Sequence, residues 1–121
     1  MTDIRLKRAY DTPARSDGPR ILVDRIWPRG VPKEDAKLEL WLKGLAPSSG
    51  LRKWFGHDPG KWAEFQQRYL EELKDPSCGE DLRKLTETLR ANDRVTLVFA
   101  AKDTRHNNAV ALRDFLKAGD L

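Results

Sequence analysis

The chain has 121 residues, 39% hydrophobic, 35% charged and 8% aromatic, a balance that supports one compact domain and excludes two. Its 23 Lys and Arg against 19 Asp and Glu leave a net charge of +4, an excess that favours an anionic partner but is too small to specify a polyanion. The single cysteine, Cys78, excludes an internal disulfide, and the longest uncharged apolar run, Val95 to Ala101, is far below the ~20 apolar residues that span a bilayer. A lone thiol without a signal-peptide pattern is expected of a cytoplasmic protein, and no membrane partner is expected. The basic excess lies wholly in residues 1–60, which carry 12 cationic against 8 acidic side chains, whereas residues 61–121 carry 11 of each.

In chain order, Ile4 and Leu6 alternate with Arg5 and Lys7, the period-two pattern of a short strand. Asp11 to Pro19, rich in Pro, Ser, Asp and Gly, reads as an exposed loop. The apolar run Ile21-Leu22-Val23 predicts a strand buried on both faces that continues to Asp24-Arg25-Ile26. Trp27-Pro28-Arg29-Gly30 stops it, because Pro28 lacks a ladder donor and Gly30 admits backbone angles closed to other residues. Leu38, Leu40 and Leu42 alternate with Glu39 and Trp41, as in a third strand or an irregular segment.

Helical signals follow. Ser48 or Ser49 caps a short helix with Leu51, Trp54 and Phe55 on one side and Gly56 as its stop. Asp58 caps the next, with Pro59 at its first position and Trp62, Phe65, Tyr69 and Leu73 in one stripe. Ser77 and Glu80 have the spacing of a capping box ahead of a helix that buries Leu82, Leu85 and Leu89. Val95 to Ala100 is a second buried-strand run, and the last helix turns Ala109, Leu112, Phe115 and Leu116 inward before Gly119. Strands apolar on both sides need helices on both faces, so this order predicts a single small α/β domain, a mostly parallel sheet flanked by helices.

In open α/β sheets, ligands collect outside the carboxyl ends of the strands. The segments after Ile26 and after Ala100 are therefore expected to face one pocket. Arg25, Trp27, Arg29 and Gly30 from the first and Lys102, Asn107 and Asn108 from the second are the candidate ligand-binding residues, since cations beside a helix N-terminus suit a phosphate or carboxylate. Asp103 and His106, together with His57 of the turn between two helices, are the candidate catalytic residues for proton transfer. Each also has a plain structural reading. Asp103 or Thr104 can be an N-cap, Asn107 and Asn108 first-turn caps, Asp24 and Arg25 an ion pair at a strand end, and His57 a turn residue.

Two isolated histidines without ligand spacing point to no metal, and no cofactor is expected. The glycine-rich dinucleotide fingerprint, the P-loop and the nucleophile elbow do not occur. Cys78 lies in a Pro-Ser-Cys-Gly linker that suggests no role. Trp41, Trp54 and Trp62 are expected in the core, and Trp27 on the surface as a stacking platform.

The segments V-D-R-I-W-P-R-G (Val23 to Gly30), L-A-P-S-S-G-L-R-K-W-F-G-H-D-P (Leu45 to Pro59) and F-A-A-K-D-T-R-H-N-N-A (Phe99 to Ala109) resemble those of the YeaO-like bacterial family, domain of unknown function 488. The resemblance runs from about Ile4 to Leu116. It implies a compact cytoplasmic α/β protein of unestablished biochemical function and supplies no catalytic residues. Broader relatives carry a cysteine and a C-H-R segment around the final strand and loop, where this chain has Ala100, Ala101 and Asn107-Asn108, a departure that speaks against a cysteine-based mechanism.

Two functional classes follow. One is an enzyme acting on a small anionic substrate held by Arg25, Arg29 and Lys102, with Asp103, His106 or His57 moving protons. The other is a non-catalytic nucleotide or nucleic-acid binding domain that uses the same cations and Trp27, with only weak duplex binding expected of so small a charge excess. No feature of the sequence specifies an oligomeric state.

Overall fold

The computed structural model describes residues 2–121. Four strands, β1 (Asp3–Arg8), β2 (Arg20–Leu22), β3 (Leu40–Trp41) and β4 (Arg94–Phe99), form one all-parallel sheet in the order β1-β4-β2-β3. β4 is central: Leu97 lies opposite Leu6 of β1 on one side and Ile21 of β2 on the other. Five helices, α1 (Lys33–Ala36), α2 (Ser49–Phe55), α3 (Trp62–Leu73), α4 (Gly79–Ala91) and α5 (Asn108–Ala118), complete the α/β domain. Parallel neighbours cannot be joined by hairpins, and the crossover from β3 to β4 carries α2, α3 and α4.

The pleat sorts the strand residues between two cores. Ile21, Val95, Leu97 and Phe99 belong to the larger one, packed with Phe55 of α2, Phe65, Tyr69 and Leu73 of α3, Leu85 of α4, and Leu112 and Phe115 of α5. Leu22 and Val98 belong to the other, with Ala9, under Trp27, Leu38 and Trp41. The expectation of helices on both faces is corrected here. All four long helices lie on the larger core, and the second side is covered by the β2–β3 connection, in which α1 is a single turn. Two indoles make this possible: Trp27 and Trp41 pack edge to face with ring centroids 5.3 Å apart and supply apolar area that a helix would otherwise provide.

Beside this second core lies a buried ionic cluster. Asp17 and Arg20 are 6% and 3% exposed and pair at 2.8 Å. Lys7 of β1 reaches the same carboxylate at 3.2 Å, the Ala14 N–H donates to it at 3.0 Å, and the Arg20 Nε donates to the Ala36 carbonyl at 2.9 Å. The turn into β2 is tight: Gly18 has φ +64°, and a Cβ there would overlap the Arg94 carbonyl oxygen.

Several predicted boundaries shift. β2 ends at Leu22 rather than Ile26, which is 58% exposed; Val23 still donates to the Val98 carbonyl at 3.2 Å, and the chain then turns away. The third apolar segment, Leu38 to Leu42, pairs with β2 over Leu40 and Trp41 alone. Ser48 is the cap of α2, accepting from the Leu51 N–H at 3.1 Å while its hydroxyl donates to Glu72 at 2.6 Å. Asp58 caps a 3-10 turn, Pro59–Lys61, that leads into α3. The Ser77–Glu80 capping box does not form. Asp75 instead accepts from the Ser77 N–H at 2.9 Å and sets a 3-10 turn that runs directly into α4.

Candidate functional site

β2 and β4 are adjacent, and the chain leaves their carboxyl ends in different directions. After β2 it heads for β3; after β4 it enters α5, which packs on β4 and β1. Such divergence opens a crevice at the strand ends. A cavity of about 680 Å³ occupies it, within the usual range of small-molecule sites.

Asn108, at the start of α5, joins the two exits. Its Nδ2 donates to the Val23 carbonyl at 3.0 Å and to Asp24 Oδ1 at 3.1 Å. The other Asp24 oxygen accepts from the Ala100 N–H at 2.9 Å. Burial pushes the Asp24 carboxyl above the usual range, against the opposing pull of these two donors and of the Arg52 charge. The expected Asp24–Arg25 ion pair is therefore not the arrangement found. Asp24 holds the two strand ends together, and Arg25 is exposed, with its guanidinium 3.5 Å from the Ala46 carbonyl.

Asp103 and His106 form a second group on the cavity wall. Asp103 Oδ1 accepts from the Arg105 and His106 N–H groups at 2.8 and 3.0 Å, and Oδ2 lies 3.0 Å from His106 Nδ1. The Arg105 amide, with His106, holds the Asp103 carboxyl below its ordinary range. Trp62 meets the His106 ring edge to face at 5.4 Å. Neither Asp103 nor Thr104 caps α5. Asn107 does, with Oδ1 accepting from Val110 at 3.0 Å and Nδ2 donating to the Asp103 carbonyl at 2.9 Å.

The cavity gathers Arg25, Trp27, Arg29, Lys102, Asp103, His106, Asn107 and Asn108 from the two predicted segments, and His57 from the α2–α3 turn. Arg25, Arg29 and Lys102 are exposed; His57 is exposed too and has φ +58°. Gly30 is not among these residues. It has φ +79° and borders a separate depression near Tyr10 and Val31, because the chain turns away from the cavity after Arg29. Trp27 is half-buried rather than a free surface platform, its Nε1 donating to the Val31 carbonyl at 2.7 Å and its ring packed on Trp41.

Sequence reasoning missed Asp24, Arg52, Phe55 and Phe65 as lining residues. Phe55 and Phe65 stack with ring centroids 4.4 Å apart and give the cavity an apolar floor. Arg52 was findable, since it precedes Phe55 by three residues and so shares its side of α2. Among the described residues, no three His, Cys, Asp or Glu side chains converge so as to hold a metal ion, and no helix is long and apolar enough to cross a membrane.

Fold and crevice together define a small parallel α/β protein with an open cavity at its strand carboxyl ends. A family model described as the inactive DUF488-N3 subclade matches residues 3–119. The chain belongs to the YeaO-like DUF488 family. It is 41% identical over 115 residues to an uncharacterised protein of Mycobacterium tuberculosis (strain H37Rv), covering 95% of this chain and 94% of that one. It is 40% identical over 116 residues to the uncharacterised protein YeaO of Escherichia coli K12, covering 96% of this chain and 98% of the relative. No solved structure gives a significant match.

Proposed function

We propose that the chain is a non-catalytic binding protein for a small anionic molecule seated at the carboxyl ends of β2 and β4. One observation carries this reading: four cations, Arg25, Arg29, Arg52 and Lys102, line the same cavity as the apolar pair Phe55 and Phe65. Small-molecule sites combine an apolar surface with a few convergent polar groups in this way. An enzymatic reading is less well supported. Among the described residues, the lining contains no serine, threonine, tyrosine or cysteine, so the Asp103–His106 pair has no protein nucleophile to activate and covalent catalysis is disfavoured. The family description, an inactive subclade, agrees with that chemistry.

Nucleic acid is less favoured as a partner because Trp27 commits its indole N–H to Val31 and its ring to Trp41. The one cysteine of the chain, Cys78, has no disulfide partner within it, which supports a reducing and thus cytoplasmic setting.

The test is a double substitution, Arg29→Ala with Lys102→Ala, studied by isothermal titration with nucleoside monophosphates and a sugar phosphate. Binding is expected to weaken by about tenfold or more. The melting temperature should hardly move, because exposed cations contribute little to folding. Unaltered binding by the double variant would sink the reading. Nanomolar binding of an oligonucleotide that falls steeply with salt would replace it with nucleic-acid recognition.

A further inference from the structure

The cavity is not uniformly basic. Its cations are exposed, whereas Asp24 is half-buried among the strand ends and forms no ion pair among the described residues. The other lining carboxylate, Asp103, is occupied by two N–H groups and the His106 ring. Asp24 accepts a single donor on each oxygen, from Asn108 on Oδ1 and from Ala100 on Oδ2. A carboxylate has about four acceptor positions, so one remains on each oxygen. A desolvated carboxylate with spare acceptor capacity is stabilised when donors reach both oxygens side by side.

Resting on the reading above, we propose that the ligand is bipolar: its anionic group meets the exposed cations, and a flat nitrogen heterocycle against the apolar part of the lining presents adjacent N–H donors to Asp24. A purine with a ring N–H beside an exocyclic amino group has that donor pair. Adenine and cytosine offer an amino group next to a ring acceptor, which would face the carboxylate with a lone pair. Uracil offers one N–H between two carbonyls, which is worse. The chemical class is therefore a phosphate-bearing molecule ending in a guanine-like edge.

The experiment titrates the full chain calorimetrically with guanosine, inosine, adenosine, cytidine and uridine monophosphates and with inorganic phosphate. Inosine monophosphate differs from guanosine monophosphate only in lacking the amino group. Guanosine monophosphate is expected to bind about tenfold or more tightly than the inosine compound, the usual discrimination for one hydrogen bond to a charged group. Inorganic phosphate should bind most weakly. Asp24→Asn should remove the preference for guanosine while leaving the phosphate contacts. Because Asp24 also joins the strand ends, that variant can fail to fold, and the comparison of the two purine ligands on the unaltered chain then decides.

Equal affinity for the two purine compounds, lost in the Arg29→Ala, Lys102→Ala variant, would overturn the donor inference and leave anion binding standing. Binding of inorganic phosphate as tight as that of any nucleotide would do the same. Absence of binding by every probe would overturn both.

Discussion

Replacing Asp17 by alanine is expected to destabilise the protein by about 3 to 5 kcal/mol, the cost of leaving a buried charge without its partner. Arg20 is the charge left behind, with 3% of its side chain accessible, and its remaining bond runs from Nε to the Ala36 carbonyl. Lys7 and the Ala14 N–H would lose the same acceptor. The unfolding free energy from urea titration checks this. If Asp17→Ala costs under about 1 kcal/mol, the cluster is wet rather than buried. A double variant, Asp17→Ala with Arg20→Met, should recover much of the loss, since a buried ion pair and an apolar substitute of similar volume are often close in stability.

The pH dependence has a definite sign. Burial by itself would raise the Asp17 carboxyl, but the Ala14 N–H, Arg20 and Lys7 together hold it below its ordinary value. A carboxyl whose folded value is depressed contributes stability that is complete above the unfolded value, about 4, and fades as pH falls through the folded one. The Asp17→Ala variant should therefore approach the parent in stability on the acid side of about pH 4.

Phe65→Ala is the second large effect, at about 3 to 5 kcal/mol. Phe65 is 2% exposed and stands between Phe55 at 4.4 Å, Trp62 at 5.6 Å and Tyr69 at 5.6 Å, so its removal leaves rings of two helices facing a void. Thermal or urea unfolding reads the loss. A cost below about 1 kcal/mol would mean that α3 shifts inward to fill the space. Phe65→Leu keeps part of the volume and should retain more of the stability than Phe65→Ala.

Periodicity made the larger core legible. The stripe Phe65, Tyr69, Leu73 and the run Val95 to Phe99 are buried as their spacing predicts, and both chain exits read as polar turns do line one cavity. What escaped sequence reading depends on partners distant along the chain. Asp24 beside Arg25 suggests a local ion pair, whereas its partners are Ala100 and Asn108, more than seventy residues away. Asp17 lies in a stretch whose composition signals an exposed loop, and only folding beneath α1 brings Arg20 and Lys7 around it. The Ser77–Glu80 spacing failed for a local reason: Asp75 reaches the Ser77 N–H first and makes a tighter turn. The cover of the second core was illegible because Trp27, Leu38 and Trp41 share no period.

The strand order also governs when this chain can fold. β1 and β2 do not pair with each other; residues 94–99 separate them, so the sheet has no centre until those residues have been synthesised. Before that, β1 has no partner, and β2 has only two paired residues in β3. Non-local pairing of this kind slows folding and leaves strand edges open to other chains in the meantime. A chain ending at Asp93 should be digested throughout by a protease under conditions in which the full chain resists, and resistance of residues 1–93 would contradict this order of assembly. The final strand is thus a latch: six residues, Arg94–Phe99, give both β1 and β2 their central partner and leave only β1 and β3 as edges.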